Sequence, residues 1–139
     1  PDGDNGGHFS ADPDYVDTWP VHCVAGTPGA AYAPELDTTA VDVHIRKGDG
    51  EPAYSPFEGR TDDGRTLADL IPAGATIDVT GIATDHCVRA TARDALALGG
   101  GPVRVLTALC AGVAPDASER ALAELARAGA EIVDNVSAS

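Results

Sequence analysis

From residue 66 onward the apolar and polar positions fall into short periodic runs. Thr76–Ile82 (TIDVTGI) alternates, as a half-buried strand does. His86–Leu98 carries Val88, Ala92, Ala95, Leu96 and Leu98 on one helical stripe, and Gly99-Gly100-Gly101 ends it. Val103–Leu109 (VRVLTAL) predicts another strand, Asp116–Ala128 a helix closed by Gly129, and Ala130–Val133 a short last strand. Thr66–Ile71 predicts a short helix. Upstream, Thr39–Arg46 (TAVDVHIR) also alternates, with Val41, Val43 and Ile45 on one side, and predicts a strand ended by Lys47. Residues 1–38 hold neither period and read as one long connection rich in Gly, Pro, Asp and Asn. The tail from Asn135 is polar and expected to fray.

Strand, helix, strand, helix, strand is the order of βαβ units. It predicts an α/β fold with a parallel, Rossmann-like sheet and right-handed crossovers. Ligands of such sheets bind beyond the carboxyl ends of the strands. Two predicted ends carry reactive side chains: Lys47 after one strand, and Thr84 to Cys87 after another.

At 139 residues the chain suits a single domain. Nine basic against 22 acidic residues give a net charge of −13, which argues against nucleic acid or an anionic membrane as partner. No apolar run is long enough for a membrane helix, and no signal-peptide pattern opens the sequence. Three cysteines fit a reduced interior better than a disulfide framework, so a cytoplasmic location is expected. The chain has no methionine and starts at Pro1, which reads as a piece of a longer chain or a processed one.

Cys87 lies where a strand turns into a helix. Free N–H groups and a partial positive charge at a helix start favour a thiolate and can bind an oxyanion. A buried, inert cysteine is the competing reading, and it is the expected one for Cys23 and Cys110. Lys47 would hold a thiolate by charge or simply end a strand in water. His8 and His22 are either metal ligands or surface histidines. His44 and His86 are expected to be structural or solvated. Trp19 and Tyr54 would wall an aromatic pocket or pack in a core. No glycine-rich phosphate loop and no CxxC pair is present.

These pieces also match a family. Gly81–Val88 (GIATDHCV) resembles the nucleophile turn of nicotinamidases, within the isochorismatase-like cysteine hydrolases. Trp19–Gly29 (WPVHCVAGTPG), Arg46-Lys47-Gly48, Ala53–Gly59 (AYSPFEG) and Thr107–Val113 (TALCAGV) resemble four further stretches of that family, in the same order. The resemblance implies a three-layer α/β/α domain and a carboxamide hydrolase. Cys87 would be the nucleophile and Lys47 the partner of its thiolate. The backbone N–H groups of Ala83 and Cys87 would form the oxyanion hole, after a cis peptide between Ile82 and Ala83. Trp19, Tyr54 and Ile82 would line the pocket. His8 and His22 would bind a divalent metal (zinc, iron or manganese) that holds the ring nitrogen of nicotinamide. The product would be nicotinate, with ammonia released through a thioester, in NAD salvage. The small carboxamide would be the only partner required, and a homo-oligomer stays open.

The resemblance also implies an aspartate base on a first strand, and further metal ligands, upstream of Pro1. The chain is therefore expected to lack an N-terminal strand-helix-strand and to be inactive as it stands. Another isochorismatase-like amidohydrolase and a non-catalytic truncated remnant are the alternative readings. Without those strands the sheet would have a gap between 39–46 and 76–82, exposing apolar faces and unpaired edges. These 139 residues alone are expected to show no cooperative unfolding. A single sharp transition in a urea titration followed by circular dichroism would overturn that expectation.

Overall fold

The computed structural model describes residues 7–135. Its sheet has three parallel strands in the order β1 (Ile77–Ile82), β2 (Val103–Ala111), β3 (Glu131–Val133). The register pairs Val79 with Val105 and Leu106 with Val133. Helix α1 (Leu67–Leu70) precedes β1, α2 (Arg89–Leu98) joins β1 to β2, and α3 (Pro115–Ala128) joins β2 to β3. These are the elements the periodicity predicts. The differences are local: β2 runs two residues past Leu109, and the expected helix start at His86 lies inside a π-helical turn, Thr84–Val88.

Local chemistry explains the boundaries. Thr66 and Asp69 form a reciprocal cap around the first turn of α1. Pro115 sits in the first turn of α3, where its missing N–H costs nothing. Gly99 and Gly129 take positive φ, 71° and 108°, and close α2 and α3.

Right-handed crossovers between sequential neighbours put α2 and α3 on the same side of the sheet, where they touch each other. The core is the layer between: Val79, Val103 and Val105 from the strands meet Val88, Ala92, Ala95 and Leu125 from the helical side. Alanines at 92 and 95 let α2 lie close to the strands. Arg89 of α2 donates to the Glu124 carboxylate of α3 through Nη2 at 2.6 Å and Nε at 3.0 Å. On the sheet's other side the register partners Asp78 and Arg104 form a two-pronged pair, 2.6 Å for each bond. That hydrogen bonding holds the Asp78 carboxyl below the usual carboxylate range.

Residues 7–66 form loops with two short 3-10 turns, Pro28–Ala30 and Pro56–Glu58, as the lack of periodicity over 1–38 predicts. The strand expected at 39–46 is corrected. Only Arg46 pairs, in an isolated antiparallel bridge with Arg60, and Val41 and Val43 are exposed. Alternation records which side of a segment is apolar. A strand also needs a neighbouring backbone to take its N–H and C=O groups, and no other described segment pairs with 39–45. Residues 1–6 lie outside the described residues, as does the tail from residue 136. Among the described residues no helix is long and apolar enough to cross a membrane.

Leu125 is fully buried. Leu125→Ala is expected to cost about 2–5 kcal/mol, measured by urea denaturation in any length of this chain that unfolds cooperatively.

Candidate active site

The end of β1 is built to change direction. Gly81 has φ 110°, a conformation other residues rarely adopt, and the pairing with β2 slips there from Val79↔Val105 to Gly81↔Cys110. The Ile82–Ala83 peptide is cis. The carbonyl of Ala83 then accepts from the N–H of His86 at 3.1 Å and of Val88 at 3.0 Å, which closes the π-helical turn. Cys87 sits in this turn, half-buried, at the mouth of α2.

Lys47 approaches from a segment 40 positions away, its Nζ 3.2 Å from the Cys87 Sγ. The same ammonium donates to the carbonyls of Tyr54 at 2.5 Å and Ala53 at 3.2 Å. Those carbonyls are held in turn. The Glu58 carboxylate accepts from the N–H of Tyr54 and Ser55, and the Ser55 hydroxyl accepts from Phe57. The Arg46–Arg60 bridge clamps the two ends of the loop, at 3.0 and 2.9 Å. Gly59 is required beside it, because a Cβ there would collide with the Arg46 carbonyl oxygen.

A second cluster comes from residues 8–22. Trp19 and His8 are bridged through their backbones, the N–H of Trp19 to the His8 carbonyl at 2.8 Å. The intervening loop is wound around Asp14, whose Oδ1 accepts from the N–H groups of Val16, Asp17 and Thr18, each at 2.9 Å. These bonds hold the Asp14 carboxyl far below its ordinary range. Trp19 Nε1 donates to the Tyr54 hydroxyl at 3.0 Å. His86 stacks on Tyr54, with ring centroids 5.7 Å apart, and meets Trp19 edge-on at 4.9 Å.

The Nε2 atoms of His8 and His22 lie 3.3 Å apart. Two imidazole nitrogens bound to one tetrahedral zinc at about 2.0–2.1 Å would lie about 3.4 Å apart. The pair therefore fits a shared divalent ion. Burial, with His22 and Lys47 nearby, lowers the His8 pKa and favours the neutral ligand form. Among the described residues no third histidine, cysteine or carboxylate completes a metal cluster with them.

The residues assigned to the site from the sequence fall as follows, while His44 pairs elsewhere, its Nδ1 2.8 Å from the Tyr32 hydroxyl. Cys87 and Lys47 meet; His8 and His22 meet; Trp19 and Tyr54 are hydrogen-bonded; Ile82 stands 76% exposed at the strand end. Tyr54 links the two clusters, since its carbonyl holds Lys47 and its ring lies 5.8 Å from that of His8. A cavity of about 720 Å³ opens at Cys87, Lys47 and Tyr54 and runs between apolar walls that include Ile45, Phe57 and Val79. Cys110 packs against the core, and burial pushes its thiol pKa up. Cys23 departs from expectation: among the described residues it is exposed, at φ 49° in the histidine loop. His86 also does more than expected, because it joins the aromatic wall. Its only sequence signal is its place next to Cys87.

Asp14→Ala removes the acceptor that winds the 14–18 loop. Hydrogen–deuterium exchange is expected to speed up at Val16, Asp17 and Thr18 and to stay unchanged in α2. Equal exchange in both proteins would show that the loop holds its shape without the carboxylate.

The model of the isochorismatase domain family matches residues 8–136. The nicotinamidase/pyrazinamidase of Mycobacterium tuberculosis H37Rv is 48% identical over 132 residues, covering 94% of this chain and 70% of that protein. The nicotinamidase of Escherichia coli K12 is 38% identical over 122 residues, covering 82% of this chain and 56% of that one. Among solved structures, PnC1 from L. infantum in complex with nicotinate superposes with a TM-score of 0.72 at 35% identity, covering 86% of this chain and 62% of that one. The pyrazinamidase of Pyrococcus horikoshii in complex with zinc gives 0.65 at 40%, covering 84% and 63%. The chain thus spans between 56% and 70% of the length of these relatives. It belongs to the isochorismatase family, with the nicotinamidases/pyrazinamidases as its relatives within it.

Proposed function

We propose that the chain carries the nucleophile, its cationic partner and part of the metal site of a nicotinamidase, which converts nicotinamide to nicotinate and ammonia in NAD salvage. The observation that carries the reading is the 3.2 Å approach of Lys47 Nζ to Cys87 Sγ at the mouth of a helix. An ammonium at that distance pairs with a thiolate and keeps it ready to attack.

The thiolate of Cys87 adds to the carboxamide carbon, and the carbonyl oxygen takes the charge. The N–H groups of Ala83 and Cys87, beyond the cis peptide, are the donors assigned to that oxyanion. Collapse of the adduct expels the amide nitrogen as ammonia, with a proton delivered to it, and leaves a thioester on Cys87. Water, giving up a proton to a base, then attacks the thioester; the C–S bond breaks, nicotinate is released and the Cys87 thiolate is regenerated. Trp19 and Tyr54, with His86 behind them, orient the flat ring, and Ile82 covers one side. A divalent metal on His8 and His22 would take the pyridine nitrogen as a ligand and fix the ring's direction. Imidazole ligands suit zinc and iron, and carboxylate ligands beside them would suit manganese.

The protons need a base. Among the described residues no carboxylate lies within ion-pair distance of Lys47. The base is assigned to an aspartate upstream of Pro1, so activity is expected only from a longer form of the chain.

Ammonia release from nicotinamide tests this on the 139 residues and on a form extended upstream in the reading frame. Activity is expected in the extended form alone. Cys87→Ala should abolish it, and Lys47→Ala should lower kcat by about 10²–10⁴-fold. His22→Ala should reduce bound metal, read by elemental analysis. A folded, metal-loaded, extended form that releases no ammonia would move the assignment to another amide.

A further inference from the structure

We propose that Asp85 is a positioning residue for Cys87: its buried carboxylate fastens the turn that carries the cysteine to the two residues that lead into α3, and thereby holds Sγ opposite Lys47. The proposal rests on the reading of Cys87 as nucleophile.

Asp85 is 7% exposed, two residues before Cys87. A carboxylate removed from water is costly unless its oxygens are hydrogen-bonded. Both are. Oδ1 accepts from the N–H of Val113 at 3.0 Å, and Oδ2 accepts from the N–H of Ala114 at 3.0 Å. These donors are the two residues that lead into α3. Ala114 is its N-cap and has no side chain to cap it, and Pro115 follows. Asp85 thus takes the N-cap N–H from 29 positions away, as the third-position carboxylate of a capping box does locally. Its charge also faces the positive end of the α3 dipole.

The surrounding chain is shaped for this contact. A Cβ on Gly112 would collide with the Ser118 hydroxyl, so glycine there leaves the Ser118 side chain its place beside the carboxylate's turn, while Asp85 Oδ1 would lie at an ordinary contact of 3.4 Å. Burial pushes the Asp85 carboxyl upward, but the backbone N–H donors and the neighbouring His86 hold it below the ordinary range, so it stays ionised at neutral pH. On the far side of the cysteine, the Thr91 hydroxyl donates to the Cys87 carbonyl at 2.6 Å. The main chain around Cys87 is therefore pinned from both directions. Lys47 belongs to a separate loop, so the distance between the two depends on where this turn is held. Catalytic groups displaced by about 1 Å lose on the order of 10²-fold in rate.

Asp85→Asn keeps the volume and one acceptor but turns an amide N–H₂ toward the second donor, which opens the clamp. Two readouts are used: the rate at which iodoacetamide alkylates Cys87, resolved by peptide mass spectrometry with exposed Cys23 as internal reference, and kcat and KM for nicotinamide. Expected for Asp85→Asn are a fall of about tenfold or more in both the Cys87 alkylation rate and kcat, with KM within about twofold. A second variant separates positioning from stability. Asp85→Asn combined with Ala114→Ser leaves the Val113 and Ala114 N–H groups as they are but caps the first turn of α3, adding stability by an independent route that should recover Tm. If Asp85 positions Cys87, the double variant regains stability and stays slow. If it regains the alkylation rate and kcat as well, or if Asp85→Asn alone leaves both unchanged, the role is structural and the proposal is overturned. The alkylation arm needs no substrate, so it decides the matter even where the parent protein releases no ammonia from nicotinamide.

Discussion

A lysine ammonium has three N–H bonds to place, and at Lys47 all three have a partner: the carbonyls of Ala53 and Tyr54 and the sulfur of Cys87. Much of the loop structure follows from that requirement. The Ser55–Glu58 cap turns two carbonyls toward one point. Gly59 lets the Arg46–Arg60 bridge close behind them. On the other side, the bulge at Gly81 and the π-helical turn bring the sulfur to the same place. Two segments with no shared secondary structure are thus made to meet at one nitrogen.

The two halves of the chain are held by different means. From residue 67 on, the sheet ladders and one apolar cluster do the holding. Before that, side chains bond to nearby backbone: Asp14 to residues 16–18, Asp37 to Thr39, and Glu58 to residues 54 and 55. Such bonds are short in sequence range and shape loops without periodicity. They suit a region whose task is to present single side chains at fixed angles.

This difference decides what could be read in the sequence. The strands and helices after residue 76 were legible because burial against one core imposes a period. The alternation at 39–46 was equally clear and misled, since it says nothing about whether a partner strand lies alongside. Cys87 stands out by its place before α2, Lys47 by the end of a strand that the structure does not contain, and both by the matching stretches; the structure brings the two side chains together. Asp85 stood in plain view inside one of them, yet its task was not legible. It depends on Val113 and Ala114, 28 and 29 positions later, turning their N–H groups toward it. Cys23 was misjudged for a similar reason: type alone predicts burial, whereas the loop around His22 leaves it open.

Tyr54 belongs to both clusters, and this couples them. The 8–22 loop presents two imidazoles and an indole, while the βαβ half presents the thiol. They meet through the Tyr54 ring and carbonyl and through the edge-on contact of Trp19 with His86, the neighbour of Cys87. A change in the loop is therefore transmitted to the turn that carries the thiol, and a change at Tyr54 is felt on both sides at once.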